Sequence, residues 1–385
     1  MKIIPYGRQS IDNQDIKFVS RALKEDLITT GSYIKKFENK ISKFLNVKYA
    51  VSCSSGTSAL HLALIAIGLK KDDVIIMPAI NFIAVYNMAR LMNLKIFLAD
   101  VDPLTGQMTP HTLLECIKNN KLKKIKAIVT MYLGGYPENI VEFYNIKKKL
   151  RCYLIEDACH ALGAKYYYNQ KHLLIGSCIH SDISVFSLHP VKSITTGEGG
   201  LVTTNNKDFY DKIISLRSHG IYKKKNLHWD YEIKTPGFNY RLSDINCALG
   251  LSQLKKINKF INYRRKLFNF YINNLKKFSN KIIFPFYNKL NKPSYHLFII
   301  SINFEMIKSK KIQLLKFMRN NKINFQYHYI PIYRFKVFNK KLNLSFYNGA
   351  ETYYKNCLSL PIFFNLNFDS QKKILNKIKL FLNKK

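Results

Sequence analysis

Between residues 47 and 205 short apolar runs alternate with turns rich in Ser, Gly, Asp and Asn, and with longer stretches of helical spacing. Seven runs have strand length: VKYAVSC, DVIIMPA, KIFLADV, KAIVTMY, CYLIEDA, ISVFSL and GGLVTTN. Several are too continuously apolar for a sheet with one wet face, so the pattern predicts a mostly parallel sheet with helices on both sides. In such sheets ligands collect at the carboxyl ends of the strands, and the turns at 54–57, 81, 157 and 187–192 are expected to gather there. After residue 240 the pattern turns helical and basic through LSDINCALGLSQLKKINKFINYRRKLFNFYINNLKKF, with apolar positions such as Leu249, Leu254 and Ile257. Strand-like HLFIISINF and INFQYHYIPIY then flank a helical KKIQLLKFMRNN. The expected organisation is an N-terminal arm plus a large α/β domain over 1–245, and a smaller α+β domain over 246–385.

The length of 385 residues suits two hydrophobic cores better than one. No apolar run approaches the roughly 20 residues of a membrane span, and the opening MKIIPYGRQSIDNQD has no signal-like core, so a soluble cytoplasmic protein is expected. The seven cysteines are scattered, odd in number and without CxxC pairing, which argues against a disulfide framework or a zinc site; no metal is expected. A formal charge of +38 raises nucleic acid as a partner. The lysines, however, fall in short dispersed runs (121–126, 147–149, 223–225, 255–256, and the RRK at 264–266) with no accompanying nucleic-acid motif. They read as solvated surface, so neither nucleic acid nor membrane is expected as a partner.

Three motifs carry chemistry. SSGTSAL (54–60) follows a strand and opens a helix whose apolar face includes Leu60, Leu64 and Ile67. Its unpaired N–H groups, small glycine and hydroxyls suit a phosphate, although Ser and Thr there are also ordinary caps. IEDACHA (155–161) ends a strand with Asp157, a carboxylate able to keep a pyridine nitrogen protonated and so make the ring an electron sink; Asp157 also suits a helix cap, and His160 a purely structural hydrogen bond. FSLHPVKSITTGEGG (186–200) sets Lys192 five residues after Ser187 and just before a glycine-rich turn. A lysine with reduced proton affinity forms an imine with an aldehyde.

Together with RSHG, GFNYRLSDINCALGLSQLKK, YHLFII, QYHYIPIY and LSLP, these motifs resemble the DegT/DnrJ/EryC1/StrS sugar aminotransferases over essentially the whole chain. The resemblance implies an aspartate-aminotransferase-like (type I) α/β fold and pyridoxal 5'-phosphate held as a Schiff base on Lys192, with pyridoxamine 5'-phosphate as the intermediate form. It implies that Gly56, Thr57 and Ser187 hold the phosphate, with Asn239 of a second copy in a homodimer reaching it as well. Phe82 would lie against the ring, Asp157 at its nitrogen and His160 at its hydroxyl side. Tyr6, His189 and His328 are candidates for the sugar pocket. Within the family the motifs are most similar to the branch that moves an amino group from glutamate, leaving 2-oxoglutarate, to C4 of a UDP-linked 4-keto-6-deoxy-N-acetylhexosamine in pseudaminic acid biosynthesis. Three other readings stand beside it: amination of a different nucleotide-linked keto sugar, a pyridoxamine-dependent sugar dehydratase, and a nucleic-acid-binding regulator on the same fold. Relatives of the dehydratase kind carry histidine where this chain has Lys192, and no helix-turn-helix segment precedes Ile3.

Overall fold

The computed structural model describes residues 3–223, 229–338 and 342–383, so positions 224 and 225 of one lysine run lie outside the described residues. Each of the seven apolar runs forms a strand. In chain order the strands are β1 (Tyr49–Cys53), β2 (Val74–Pro78), β3 (Lys95–Ala99), β4 (Ala127–Met131), β5 (Tyr153–Asp157), a separate hairpin of β6 (Lys165–Tyr168) and β7 (Lys171–Leu174), then β8 (Ile183–Ser187) and β9 (Gly200–Thr204). The large sheet has the order β1-β9-β8-β5-β4-β2-β3. Only β9 runs against its neighbours. Every residue of β4 and β9 is buried, as the unbroken apolar runs require of strands covered on both faces.

The helix Gly56–Ala66 departs from the amphipathic expectation. From Ser58 to Leu64 each residue is buried, because the helix lies between the sheet strands β8 and β9 and the helices Ala84–Leu91 and Lys207–Arg217. An element apolar on all sides belongs in the interior. The long basic stretch after residue 240 is two helices, Asp244–Leu254 and Ile257–Leu275. The break falls where Lys256 turns inward to Asp15, at 2.6 Å, on the N-terminal helix Asn13–Ala22. Gln253 donates to the same carboxylate at 2.8 Å.

A further hairpin pairs β10 (Ile221–Lys223) with β11 (Tyr231–Ile233). Toward the C-terminus, β12 (Ile282–Ile283), β13 (Phe298–Ile302) and β14 (Cys357–Leu360) form a small antiparallel sheet, with β13 as the core of HLFIISINF. The expected helix is present as Lys311–Asn320. INFQYHYIPIY, by contrast, is not a strand. Gln326 makes a single bridge to Ser359 of the small sheet, and a 3-10 turn closes the segment at Ile332–Arg334. Its backbone bridges the two sheets: the Gln326 N–H donates to the Ser359 carbonyl at 3.2 Å and the Ile332 N–H to the Ala79 carbonyl, just beyond β2, at 2.9 Å. Pro331 has no N–H to give, and the residues between these anchors face a cavity instead of a neighbouring strand.

The N-terminal arm joins the C-terminal part. The Ile4 N–H donates to Lys322 and its carbonyl accepts from Asn324, both at 2.9 Å. In the runs at 121–126, 147–149 and 255–256 the lysines are exposed except Lys147, paired with Asp182 at 2.7 Å, and the half-buried Lys256. Arg264 within RRK is buried. All seven cysteines are free thiols. No helix among the described residues is long and apolar enough to cross a membrane.

Candidate active site

Sheet register brings the chemical motifs together. Asp157, the last residue of β5, pairs with Val185 of β8, while Gly200 of β9 pairs with both Cys53 and Ser187. The 54–57 turn therefore crosses directly over Gly200, where a Cβ would stand 2.1 Å from the Ser55 carbonyl oxygen. A Cβ on Gly56 would meet that of Ser187 at 2.9 Å, so glycine at 56 is what lets the turn lie against the end of β8. Ser55 caps the helix by accepting from the Ser58 N–H at 3.1 Å, and Ser58 answers by accepting from the Ser55 N–H at 2.9 Å. The first-turn N–H groups of Gly56 and Thr57 have no acceptor within the helix and are free for an anion.

These strand ends open onto a cavity of about 560 Å³. Lys192, Asp157 and His160 line it, with Gly56, Thr57 and Ser187 at one side and Phe82, Tyr6, His189 and His328 around the rest. Asn239 does not line it; it is exposed, and its backbone pairs with Ser218. Asn81 lines the cavity as its turn was expected to, whereas several other lining residues had no role in the sequence reading: Tyr329 and His296 above all, with Cys159. The adjacency of Tyr329 to His328 was the one available signal, and strand-like alternation would have sent the two to opposite faces.

Burial dominates the electrostatics. It pushes the Asp157 carboxyl up, against the Cys159 hydrogen bonds and the nearby Lys192 charge, which favour the ionised form. The Cys159 N–H donates to Asp157 at 3.2 Å, and no helix follows, so the carboxylate is not a helix cap. Burial pulls the Lys192 amine below its ordinary range, while Cys159 and Asp157 pull it back up. The two charges bias one another, yet no ion pair joins them among the described residues. The donor set fits a phosphorylated pyridine aldehyde: N–H groups and a hydroxyl at one end, an aromatic wall at Phe82, a buried carboxylate and an amine of weakened basicity. Asn81 adds a buried amide with neither atom partnered, and His296 Nδ1 is likewise unpartnered, as on a wall that a ligand or water completes.

Three imidazoles cluster beside the lysine. The rings of His160 and His296 lie 4.2 Å apart between centroids, and that of His328 lies 6.2 Å from His160. Burial first, and then the charge of Lys192, keeps all three neutral, with His328 lowered to about 3. His328 is otherwise satisfied, with Nδ1 at 2.9 Å from the Ser359 hydroxyl. An unfolded histidine binds its proton near pH 6.5, so between pH 6.5 and about 3 the unfolded chain takes up a proton that folded His328 refuses. Stability contributed by neutral His328 is therefore complete above pH 6.5 and is lost as pH falls through that window, at about 1.4 kcal/mol per pH unit. Melting of a His328→Gln protein between pH 6 and 4.5 should accordingly show a shallower acid decline than wild type. Parallel declines would contradict the buried neutral state. Asp157 and Glu156, whose raised carboxyl pKa values act in the opposite sense, are common to both proteins and cancel in the comparison.

The fold and the cavity define a pyridoxal-phosphate aminotransferase of the type I class. The profile of the DegT/DnrJ/EryC1/StrS aminotransferase family matches residues 9–379. The UDP-4-amino-4,6-dideoxy-N-acetyl-beta-L-altrosamine transaminase of Campylobacter jejuni is 36% identical over 386 residues, covering 99% of this chain and 98% of the relative. GDP-perosamine synthase of Escherichia coli is 35% identical over 71% of this chain and 72% of its own length. Among solved structures, Helicobacter pylori PseC, an aminotransferase involved in the biosynthesis of pseudoaminic acid, superposes with a TM-score of 0.87 at 30% identity, covering 99% of both chains. The chain belongs to the DegT/DnrJ/EryC1/StrS aminotransferase family.

Proposed function

We propose that this protein is a cytoplasmic homodimer that moves an amino group from glutamate to C4 of a UDP-linked 4-keto-6-deoxy-N-acetylhexosamine, in pseudaminic acid biosynthesis. The observation that carries the proposal is the meeting of Lys192 and Asp157 in one cavity, in a chain similar over its whole length to transaminases of that sugar. Bound pyridoxal phosphate supplies an aldehyde and an electron-accepting ring. Gly56 and Thr57 offer N–H groups to its phosphate, Ser187 a hydroxyl, Phe82 a face for the ring, and Asp157 a carboxylate for the ring nitrogen. Lys192 Nζ would hold the aldehyde carbon and, once free, would be placed to take the proton from the donor's α-carbon. In the second half-reaction the same amine delivers a proton to C4 of the sugar.

Asn239 supports the shared-site reading, because it stands exposed and off its own chain's cavity. The exposed Tyr222, Tyr231 and Ile233 of the β10–β11 hairpin offer apolar surface for the second copy.

The test is spectroscopic. Purified protein loaded with pyridoxal phosphate should show a visible band that glutamate bleaches and the UDP-linked 4-keto sugar restores, with a solution mass twice that of the chain. Restoration by a GDP-linked 4-keto sugar in preference to the UDP sugar would favour the activity suggested by the perosamine synthase relative. A protein that glutamate cannot convert would refute the transaminase reading.

A further inference from the structure

A second groove, of about 540 Å³, shares no residue with the catalytic cavity. Four cations line it, Lys165, Arg265, Lys289 and Lys292, and among the described residues no carboxylate does. Their side chains make no ion pair or hydrogen bond within the described residues. Two of them are held together by the backbone. Lys165, at the start of β6, and Lys292 form an antiparallel bridge in which each N–H donates to the other's carbonyl, at 2.8 and 2.7 Å. Residues opposed in this way send their side chains to one face, and like charges there repel. The wall behind them is fixed. The Tyr167 N–H donates to Asn291 Oδ1 at 2.9 Å, and Glu138 accepts from Asn291 Nδ2 at 3.3 Å and from the Asn288 N–H at 3.2 Å. That carboxylate thus holds the loop and pairs with neither lysine. The helix Ile257–Leu275 contributes Asn258, Asn262 and Arg265 at i, i+4 and i+7 of one stripe, all exposed. Neither of these amides has a hydrogen-bond partner among the described residues.

A chain with 62 basic and 24 acidic residues must leave many lysines unpaired, so unpaired lysines alone mean little. This group differs in that two sit opposite one another on a fixed bridge, in a concavity that two further cations complete. We propose that the groove is a second anion site that takes a diphosphate, either the free ion or that of a nucleoside diphosphate. Two adjoining phosphates carry charge enough to answer four cations drawn from three segments, and the asparagine amides can serve phosphate oxygens or the hydroxyls of an attached ribose. A single carboxylate would answer the bridged lysines and leave the other two cations unmet.

The test is calorimetric titration of inorganic pyrophosphate into the full chain, loaded with pyridoxal phosphate and freed of excess so that the turn at 54–57 is filled. At low salt the Lys165→Gln/Lys292→Gln protein should bind pyrophosphate at least about tenfold more weakly than wild type. Lys148→Gln/Lys149→Gln, which removes the same charge from a dispersed run, should bind it as wild type does. Arg265→Gln should also weaken binding, and serves if the first variant fails to fold. ADP distinguishes the sources: tighter binding than pyrophosphate assigns the site to a nucleotide, weaker binding to the free ion, provided that Lys165→Gln/Lys292→Gln loses it in either case. Without anion, that variant should melt at or above the wild-type temperature at low salt, because a repulsion has been removed. Equal weakening in the two double variants, or none in either, would overturn the proposal. A lower melting temperature would overturn it too, by showing that the lysines already have partners in the fold. Tighter binding of a single-stranded oligonucleotide than of either diphosphate would reassign the groove to nucleic acid. The readouts are binding and melting, so they stand apart from the transaminase reading.

Discussion

A Lys192→Ala protein should lose turnover by at least about 10⁴-fold, because one side chain is asked to do two jobs: hold the aldehyde and move the proton. Wild-type protein treated with borohydride should carry the cofactor mass on the peptide containing Lys192, and the alanine variant should carry none. The fold should persist, since removing the amine relieves the burial that weakens its proton affinity and breaks no ion pair among the described residues. Of the 62 basic residues, Lys192 is the lysine whose surroundings combine a phosphate-suited helix start and a buried carboxylate. Residual turnover within about tenfold of wild type would show that another group abstracts the proton, and the mechanism would fail.

The second large effect is expected at Asp157. An amide in its place cannot hold a positive ring nitrogen, and Asp157→Asn should slow both half-reactions by about 10²- to 10³-fold. Binding of pyridoxal phosphate should suffer much less, because the groups proposed to hold its phosphate, at 54–57 and Ser187, are untouched. Rapid-mixing spectroscopy of the glutamate half-reaction separates these quantities. A loss confined to affinity, with the half-reaction at wild-type speed, would mean that Asp157 only shapes the cavity. Asp157→Glu gives a useful contrast: it keeps the charge but lengthens the arm in a site where the carboxylate is 3% exposed and held by the Cys159 N–H. It should fall between the two.

The seven strands of the large sheet were legible because strands buried on both faces leave continuous apolar runs, and the polar turns at their ends confine the boundaries. The register that unites Asp157, Ser187 and Gly200 was legible only as a topological expectation, that turns collect at strand ends. Helical periodicity across 241–278 was equally clear, but the break at residues 255 and 256 was not. It depends on Lys256 finding Asp15 some 240 residues away, which no local pattern records. INFQYHYIPIY misled for a related reason: its alternation resembles a strand, while its backbone hydrogen bonds are shared among the N-terminal arm, the small sheet and the end of β2.

By itself the sequence determined which motifs bring candidate residues to the strand ends. Lys192, Asp157 and the 54–57 turn lie within motifs whose residue types and spacing already limit what they can do, and the strands that carry them are specified locally by apolar content. Tertiary structure alone decided which residues make up the far wall of the cavity. His160, His296 and Tyr329 come from three separate segments, and the Gly134 N–H and the Tyr329 hydroxyl meet the two ring nitrogens of His160. Periodicity records which way a side chain faces, not what it meets there. For this reason His160 could be expected at the cavity from its motif, whereas Tyr329 emerged as a lining residue only once the chain was folded.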